Sequence, residues 1–283
     1  MTAYLFPGQG SQKLGMGEAV FPLFPDLVER ADQILGYSIT HLCLKNPEGQ
    51  LNNTAFTQPA LYVVNALTYL KKLNDTEGKK SDYFLGHSLG EYNALWAAGV
   101  FDFETGLKLV QKRGSLMSQA VGGSMAAVIG LSNSQVASIL EKNNLTDLSI
   151  ANFNSYLQQV VSGPSEAINQ AKEYFMASGA KLYLPLAVNG AFHSTLMEQA
   201  RIEFTEFLAP FNFTVPEVPV IANLNALPYP HEEIHSTLSL QIDHPVQWLQ
   251  SIRYLLRLSE SEFEEVGPGK VLANLVTRIM DGQ

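Results

Sequence analysis

The sequence predicts an α/β fold, on three observations. Short apolar runs of strand length (3–6, 83–85) alternate with longer stretches whose apolar residues recur at helical spacing. Gly86-His87-Ser88-Leu89-Gly90 stands between one such run and the helical stretch 91–98, the strand–turn–helix context of a nucleophile elbow. The middle of the chain then changes rhythm to a βαββαβ succession. Together these describe a large α/β-hydrolase-like domain with a parallel sheet, residues 1–123 and 188–283. A small ferredoxin-like subdomain is inserted at 124–187.

Residues 3–6 read as a buried first strand, closed by the turn Pro7-Gly8-Gln9-Gly10. Leu27, Ala31, Ile34 and Leu35 form one helical stripe that Gly36 ends. Thr57-Gln58-Pro59 is expected to open the next helix, with Leu61, Val64, Asn65, Leu67 and Leu70 following. A polar loop, 74–81, leads into the elbow strand, and 102–117 is an amphipathic helix carrying Arg113. After Gly122-Gly123 come a strand (125–130), helix (133–141), two strands (148–152, 158–162), helix (165–176) and strand (181–185). A strand at 218–222, helices at 232–242 and 246–258, and a last strand at 264–266 complete the large domain.

Bulk properties narrow the function. With 46% hydrophobic and 16% charged residues, the chain can bury a core. A net charge of −9 argues against nucleic acid or an anionic membrane as the main partner, but leaves room for an acidic protein at a local basic patch. One cysteine, Cys43, allows neither an intrachain disulfide nor a thiolate metal cluster, which fits a reducing, cytoplasmic setting. The first residues lack the basic and apolar regions of a signal peptide, and no apolar run reaches membrane-spanning length. A monomer satisfies everything the sequence demands.

The chemistry starts at Ser88. A glycine two positions to either side lets backbone pass close to the turn, and the following helix offers free N–H groups to developing negative charge. The hydroxyl needs a base. His193, in Gly190-Ala191-Phe192-His193-Ser194, stands where the insert rejoins the large domain, so it reads either as that base or as a structural histidine. His87 should leave the turn away from Ser88 and serve as packing support. Arg113, late on its helix, is either a solvated residue near a helix C-terminus or a fork for a substrate carboxylate. His231-Glu232-Glu233-Ile234-His235 matches H-E-x-x-H, but Pro228 and Pro230 put it in a surface first turn without an obvious third ligand. No metal site is expected there.

Seven segments in order resemble the malonyl-CoA:acyl carrier protein transacylase family, which includes acyltransferases of polyketide synthases. They are Phe6-Pro7-Gly8-Gln9-Gly10-Ser11-Gln12, Thr57-Gln58-Pro59-Ala60, Gly86-His87-Ser88-Leu89-Gly90-Glu91, Arg113-Gly114, Gly190-Ala191-Phe192-His193-Ser194, Gln241 before Pro245-Val246-Gln247-Trp248, and Glu265-Val266-Gly267-Pro268-Gly269-Lys270. The resemblance implies that Ser88 carries the acyl group and that His193 is its base. It makes the N–H groups of Gln9 and Leu89 an oxyanion hole and pairs Arg113 with the malonyl carboxylate. Gln241 occupies the position whose main-chain or amide oxygen orients the histidine, and Phe192 and Leu89 go with malonyl over methylmalonyl. Malonyl-CoA is then the substrate and the phosphopantetheine thiol of an acyl carrier protein the acceptor, with no bound cofactor. The stretch 222–229 looks more like the freestanding enzymes that serve polyketide synthesis than those of fatty-acid synthesis. A serine hydrolase on the same dyad is the alternative, disfavoured by Arg113, and a non-catalytic scaffold is a second, disfavoured because every expected site residue is present.

Overall fold

The computed structural model describes residues 2–188, 190–259 and 262–283. Its first half runs β1 (Thr2–Phe6), α1 (Pro25–Leu35), α2 (Ile39–Lys45), α3 (Thr54–Asp75), β2 (Tyr83–Gly86), α4 (Gly90–Ala97) and α5 (Phe103–Gln119). Then follow β3 (Gly123–Ile129), α6 (Asn133–Lys142), β4 (Ser149–Ser155), β5 (Gln158–Pro164), α7 (Ser165–Ala177) and β6 (Leu182–Pro185). The chain continues through α8 (Glu198–Leu208), β7 (Val220–Ile221), α9 (Ile234–Leu240), α10 (Trp248–Arg257), β8 (Glu262–Glu265) and α11 (Val271–Met280).

Two four-stranded sheets result. The first has the order β7-β2-β1-β8 and every pairing in it is parallel. Its central strands are apolar on both faces because helices cover both. Tyr4, Phe6 and Phe84 face the core built with α3, α4 and α5, whereas Ala3, Leu5 and Leu85 face Trp248, Leu249, Ile252, Leu275 and Val276 of α10 and α11. The second sheet, β4-β5-β3-β6, is antiparallel throughout, and with α6 and α7 it has the expected βαββαβ order. Ala126, Val128, Val161 and Tyr183 pack under those two helices. Met125, Ala127 and Val160, on the opposite face, join the core of the first sheet. Strand alternation thus ties one small sheet to both neighbours.

Side-chain caps begin several helices. Asp102 accepts from the Thr105 N–H at 2.7 Å to start α5, and Ser132 with Gln135 makes a capping box on α6. The α3 expectation needs correction. The helix starts three residues early at Thr54, capped by Asn53, and holds Pro59 inside. Pro59 has no N–H for the Ala55 carbonyl, so the first-turn preference of proline misplaced the start. The predicted helix at 232–242 is a 3-10 turn, His231–Glu233, running into α9, and that at 246–258 narrows to α10. Helices α2, α8 and α11 were not anticipated. Among the described residues no helix is long and apolar enough to cross a membrane.

Candidate active site

Parallel strands open their functional crevice at their C-terminal ends. Here β1 runs into the Pro7–Gly10 turn and β2 into the elbow. Ser88 has φ +51°, a left-handed conformation that a non-glycine residue adopts at a strained turn. The glycines around it are sterically required. A Cβ on Gly86 would lie 1.9 Å from the Gly90 carbonyl carbon, and one on Gly90 would lie 1.9 Å from the Phe6 oxygen. Gly90→Ala should therefore cost about 3 kcal/mol or more, because backbone on both sides must move. Urea unfolding checks it. Asn223, just beyond β7, clamps the elbow from the other side: its Oδ1 accepts the Ser88 N–H at 2.6 Å and its Nδ2 donates to the Gly86 carbonyl at 2.6 Å.

His193 meets Ser88 across this turn, its Nε2 2.8 Å from Ser88 Oγ. Its Nδ1 lies 2.8 Å from the Gln241 carbonyl and 3.1 Å from that of His244. Carbonyls only accept, so Nδ1 carries the proton and Nε2 offers its lone pair to the serine hydroxyl. The ring is oriented by main-chain oxygens; the Gln241 side-chain amide is engaged elsewhere. Burial, and after it the nearby Arg113 charge, pushes the His193 imidazolium down to about 3. The free site thus holds a neutral imidazole.

Arg113 is buried, 1% exposed, which the helical context of its segment did not require. Its Nη1 donates to Gln58 Oε1 at 2.8 Å, and its Nη2 to Gln241 Oε1 at 2.9 Å and to Ser88 Oγ at 3.1 Å. All three acceptors are neutral oxygens, while the Tyr92 ring lies 5.5 Å away. A desolvated guanidinium facing only neutral acceptors has the chemistry to take a carboxylate in two parallel hydrogen bonds. Gln9, Leu89, Phe192, Met117, Met125, Leu186 and Val188 line the same narrow pocket, whose cavity volume is about 80 Å³. The pocket therefore brings together Ser88, His193, Arg113, Gln9, Leu89 and Phe192, and Gln241 adjoins it through its bonds to Arg113 and to the Ser88 carbonyl.

Sequence reasoning missed the support. Gln58 lay in one of the seven segments, Thr57-Gln58-Pro59-Ala60, but nothing local marked it as an Arg113 partner, and nothing local marked Asn223 as the elbow clamp. Glu91 did offer a local signal, a carboxylate on a helix otherwise apolar enough to be buried all round. It is fully buried, and Gln241 Nε2 donates to its Oε2 at 2.6 Å while Tyr229 OH and the Asn223 N–H donate to Oε1. His87 bonds Asn154 Oδ1 at 2.9 Å and packs on Trp248, as a supporting residue would. His231 and His235 contact the carbonyls of Phe213 and Phe211 at 3.1 and 2.8 Å, tying down a loop. No cluster able to hold a metal occurs among the described residues.

Comparison with known proteins places this geometry. Residues 3–260 match the model of the acyl transferase domain. The chain is 56% identical over 280 residues to the polyketide biosynthesis malonyl CoA-acyl carrier protein transacylase BaeC of Bacillus velezensis, covering 99% of this chain and 96% of that one. It superposes on a crystal structure of malonyl CoA-acyl carrier protein transacylase from Burkholderia pseudomallei with a TM-score of 0.97 at 48% identity, covering 100% and 99% of the two chains. A malonyl-transacylase solved in complex with a type II PKS acyl-carrier protein gives a TM-score of 0.93 at 36% identity, covering 99% of this chain and 93% of that one.

Proposed function

The chain belongs to the acyl transferase domain family, and from that premise we propose how its own residues carry out the transfer. The activity is that of a malonyl CoA-acyl carrier protein transacylase, and the carrier protein is its partner. One observation carries the mechanism: Ser88 Oγ lies within hydrogen-bond reach of both a neutral imidazole and a buried guanidinium.

His193 Nε2 takes the Ser88 proton as the hydroxyl oxygen attacks the thioester carbon of malonyl-CoA. The oxyanion forms against the N–H groups of Gln9 and Leu89, in a site too dry to screen them. The C–S bond then breaks, His193 returns its proton to the departing thiolate, and malonyl-Ser88 remains. In the second half-reaction the phosphopantetheine thiol of the carrier protein gives its proton to His193 and attacks the ester. The serine leaves, recovering that proton. Arg113 holds the malonyl carboxylate with parallel hydrogen bonds, exchanging its contact with Ser88 Oγ for the ligand. No step needs a cofactor. Phe192 and Leu89, which line the pocket beside the dyad, fit an unbranched α-carbon.

We assign the chain to polyketide synthesis, a setting supported by the likeness to the Bacillus velezensis enzyme. We take the chain to divide into two units, 1–123 with 188–283 and 124–187, and the working enzyme to be a cytoplasmic monomer.

The test is intact-protein mass after brief exposure to malonyl-CoA, with and without phosphopantetheinylated carrier protein. Wild type should gain a malonyl adduct that the carrier discharges, methylmalonyl-CoA should load it more slowly, and Ser88→Ala should gain none. Release of free malonate at one rate, with or without carrier, would instead favour the hydrolase.

A further inference from the structure

Glu91 takes no part in the transfer as written, yet it is a fully buried carboxylate in contact with the site. Three donors converge on it: Gln241 Nε2, the Tyr229 hydroxyl and the Asn223 N–H. The second N–H of the Gln241 amide goes to the Ser88 carbonyl at 2.8 Å. A carbonyl and a carboxylate can only accept, so both faces of that amide nitrogen are committed. The amide oxygen has one direction left, and it points at Arg113 Nη2, 2.9 Å away.

We propose that Glu91 is a positioning residue for Arg113: its carboxylate fixes the Gln241 amide with the oxygen toward the guanidinium, and thereby sets the enzyme's preference for acyl groups that carry a carboxylate. This rests on the reading of Arg113 as the malonyl partner. Two physical effects support it. The first is orientation. With an amide at position 91, either its NH2 meets the Gln241 NH2, or Gln241 turns over, or its NH2 takes the Oε1 place and meets the Asn223 N–H. In the second case the Gln241 nitrogen faces the Arg113 N–H groups and its oxygen faces the Ser88 carbonyl. Each arrangement sets like against like in a site without solvent to screen it. The second effect is charge. Burial disfavours the Arg113 cation, and the Glu91 anion across the Gln241 amide offsets that cost. The imidazole is held through the Gln241 main chain and is independent of the amide's orientation. Loss of Glu91 should therefore fall on acyl selection more than on the dyad.

The experiment measures kcat/KM for malonyl-CoA and for acetyl-CoA, which has no carboxylate, in wild type, Glu91→Gln, Glu91→Asp and Arg113→Ala. In Glu91→Gln the malonyl-to-acetyl ratio should fall about 10- to 100-fold, mostly through a higher KM for malonyl-CoA. Glu91→Asp, which restores the charge, should recover part of it. An equal loss on both donors, leaving the ratio unchanged, overturns the proposal.

Should the glutamine variant not fold, the pH dependence of the wild-type ratio decides. Burial pushes the Glu91 carboxyl up to about 7. The groups facing it do not titrate nearby: Tyr92 and Tyr229 are pushed up, Arg113 stays charged, and His193 lies down at about 3. Coenzyme A phosphates cancel between donors, and the malonyl carboxylate ionises near other carboxylic acids, well below 7. The ratio should drop as pH falls through about 7 and protons fill Glu91. A flat ratio overturns the role. The Arg113→Ala arm separates the two readings. If wild type shows no malonyl preference, or Arg113→Ala keeps it, the assignment of Arg113 itself falls. If Arg113→Ala loses the preference and Glu91→Gln keeps it, only the positioning role falls.

Discussion

Replacing His193 with alanine is expected to lower kcat/KM for malonyl transfer by about 10³- to 10⁶-fold, the range in which a serine nucleophile loses its base. The geometry leaves little to substitute for it. Nδ1 is committed to two carbonyls, so Nε2, 2.8 Å from the hydroxyl, is the acceptor directed at that proton. The pH profile should identify the same group. An imidazole acts as base only when neutral, and burial with the Arg113 charge holds His193 neutral down to about 3. With acetyl-CoA as donor, the acid limb of kcat/KM due to His193 should therefore lie below about pH 5. A limb near the ordinary histidine value would contradict this. Stability follows the same linkage. Between about pH 3 and the unfolded histidine value near 6.5, the unfolded chain binds a proton that the folded chain refuses. This contribution to stability is complete above that window and is lost as pH falls through it, and His193→Ala should lose less stability there than wild type.

Arg113→Ala should reduce malonyl loading by about 10²- to 10³-fold, the value of one desolvated charge partner, and should reduce acetyl loading far less. The malonyl carboxylate would then enter a buried site without a cation, whereas acetyl leaves nothing unpaired. Steady-state rates with the two donors check this, and equal loss on both would assign Arg113 a structural role. A second consequence carries a definite sign. The Arg113 charge opposes protonation of His193, so removing it must raise the histidine value and move the acid limb of acetyl transfer to higher pH. Malonate bound at Arg113 in wild type neutralises the same charge. The limb of kcat, which reports the enzyme–substrate complex, should accordingly stand above that of kcat/KM.

The elbow is a five-residue motif whose glycines are needed because the chain touches itself within that turn and against β1. The βαββαβ order follows from periodicities that switch at Gly122-Gly123, whereas the spatial order β4-β5-β3-β6 is set by pairing between strands distant in the chain. Features set by distant contacts were lost. Helix α8 buries only Ala200, Phe204 and Leu208, a stripe too thin to stand out among charged neighbours. Helix α11 packs on the far face of the parallel sheet, a face invisible until the sheet exists. The α3 start was misjudged because Pro59 resembles a helix opening, while Asn53 made the actual cap.

The sequence by itself determined the fold class and nominated Ser88 and the residue types the chemistry would use, because strand, turn and helix signals act over a few residues. Only the tertiary structure decided where His193 and Arg113 lie: both are buried beside Ser88. Ser88 and His193 are 105 residues apart, and their contact depends on Asn223 clamping the elbow and on two carbonyls orienting the ring. The segment around Arg113 suits a solvated helix equally well. The tertiary structure instead buries Arg113 against α3, and Gln58 and Gln241 meet it with neutral oxygens, the setting our proposal for it requires. Charge state at this site is a property of burial, and burial is written in the packing of elements far apart in the chain.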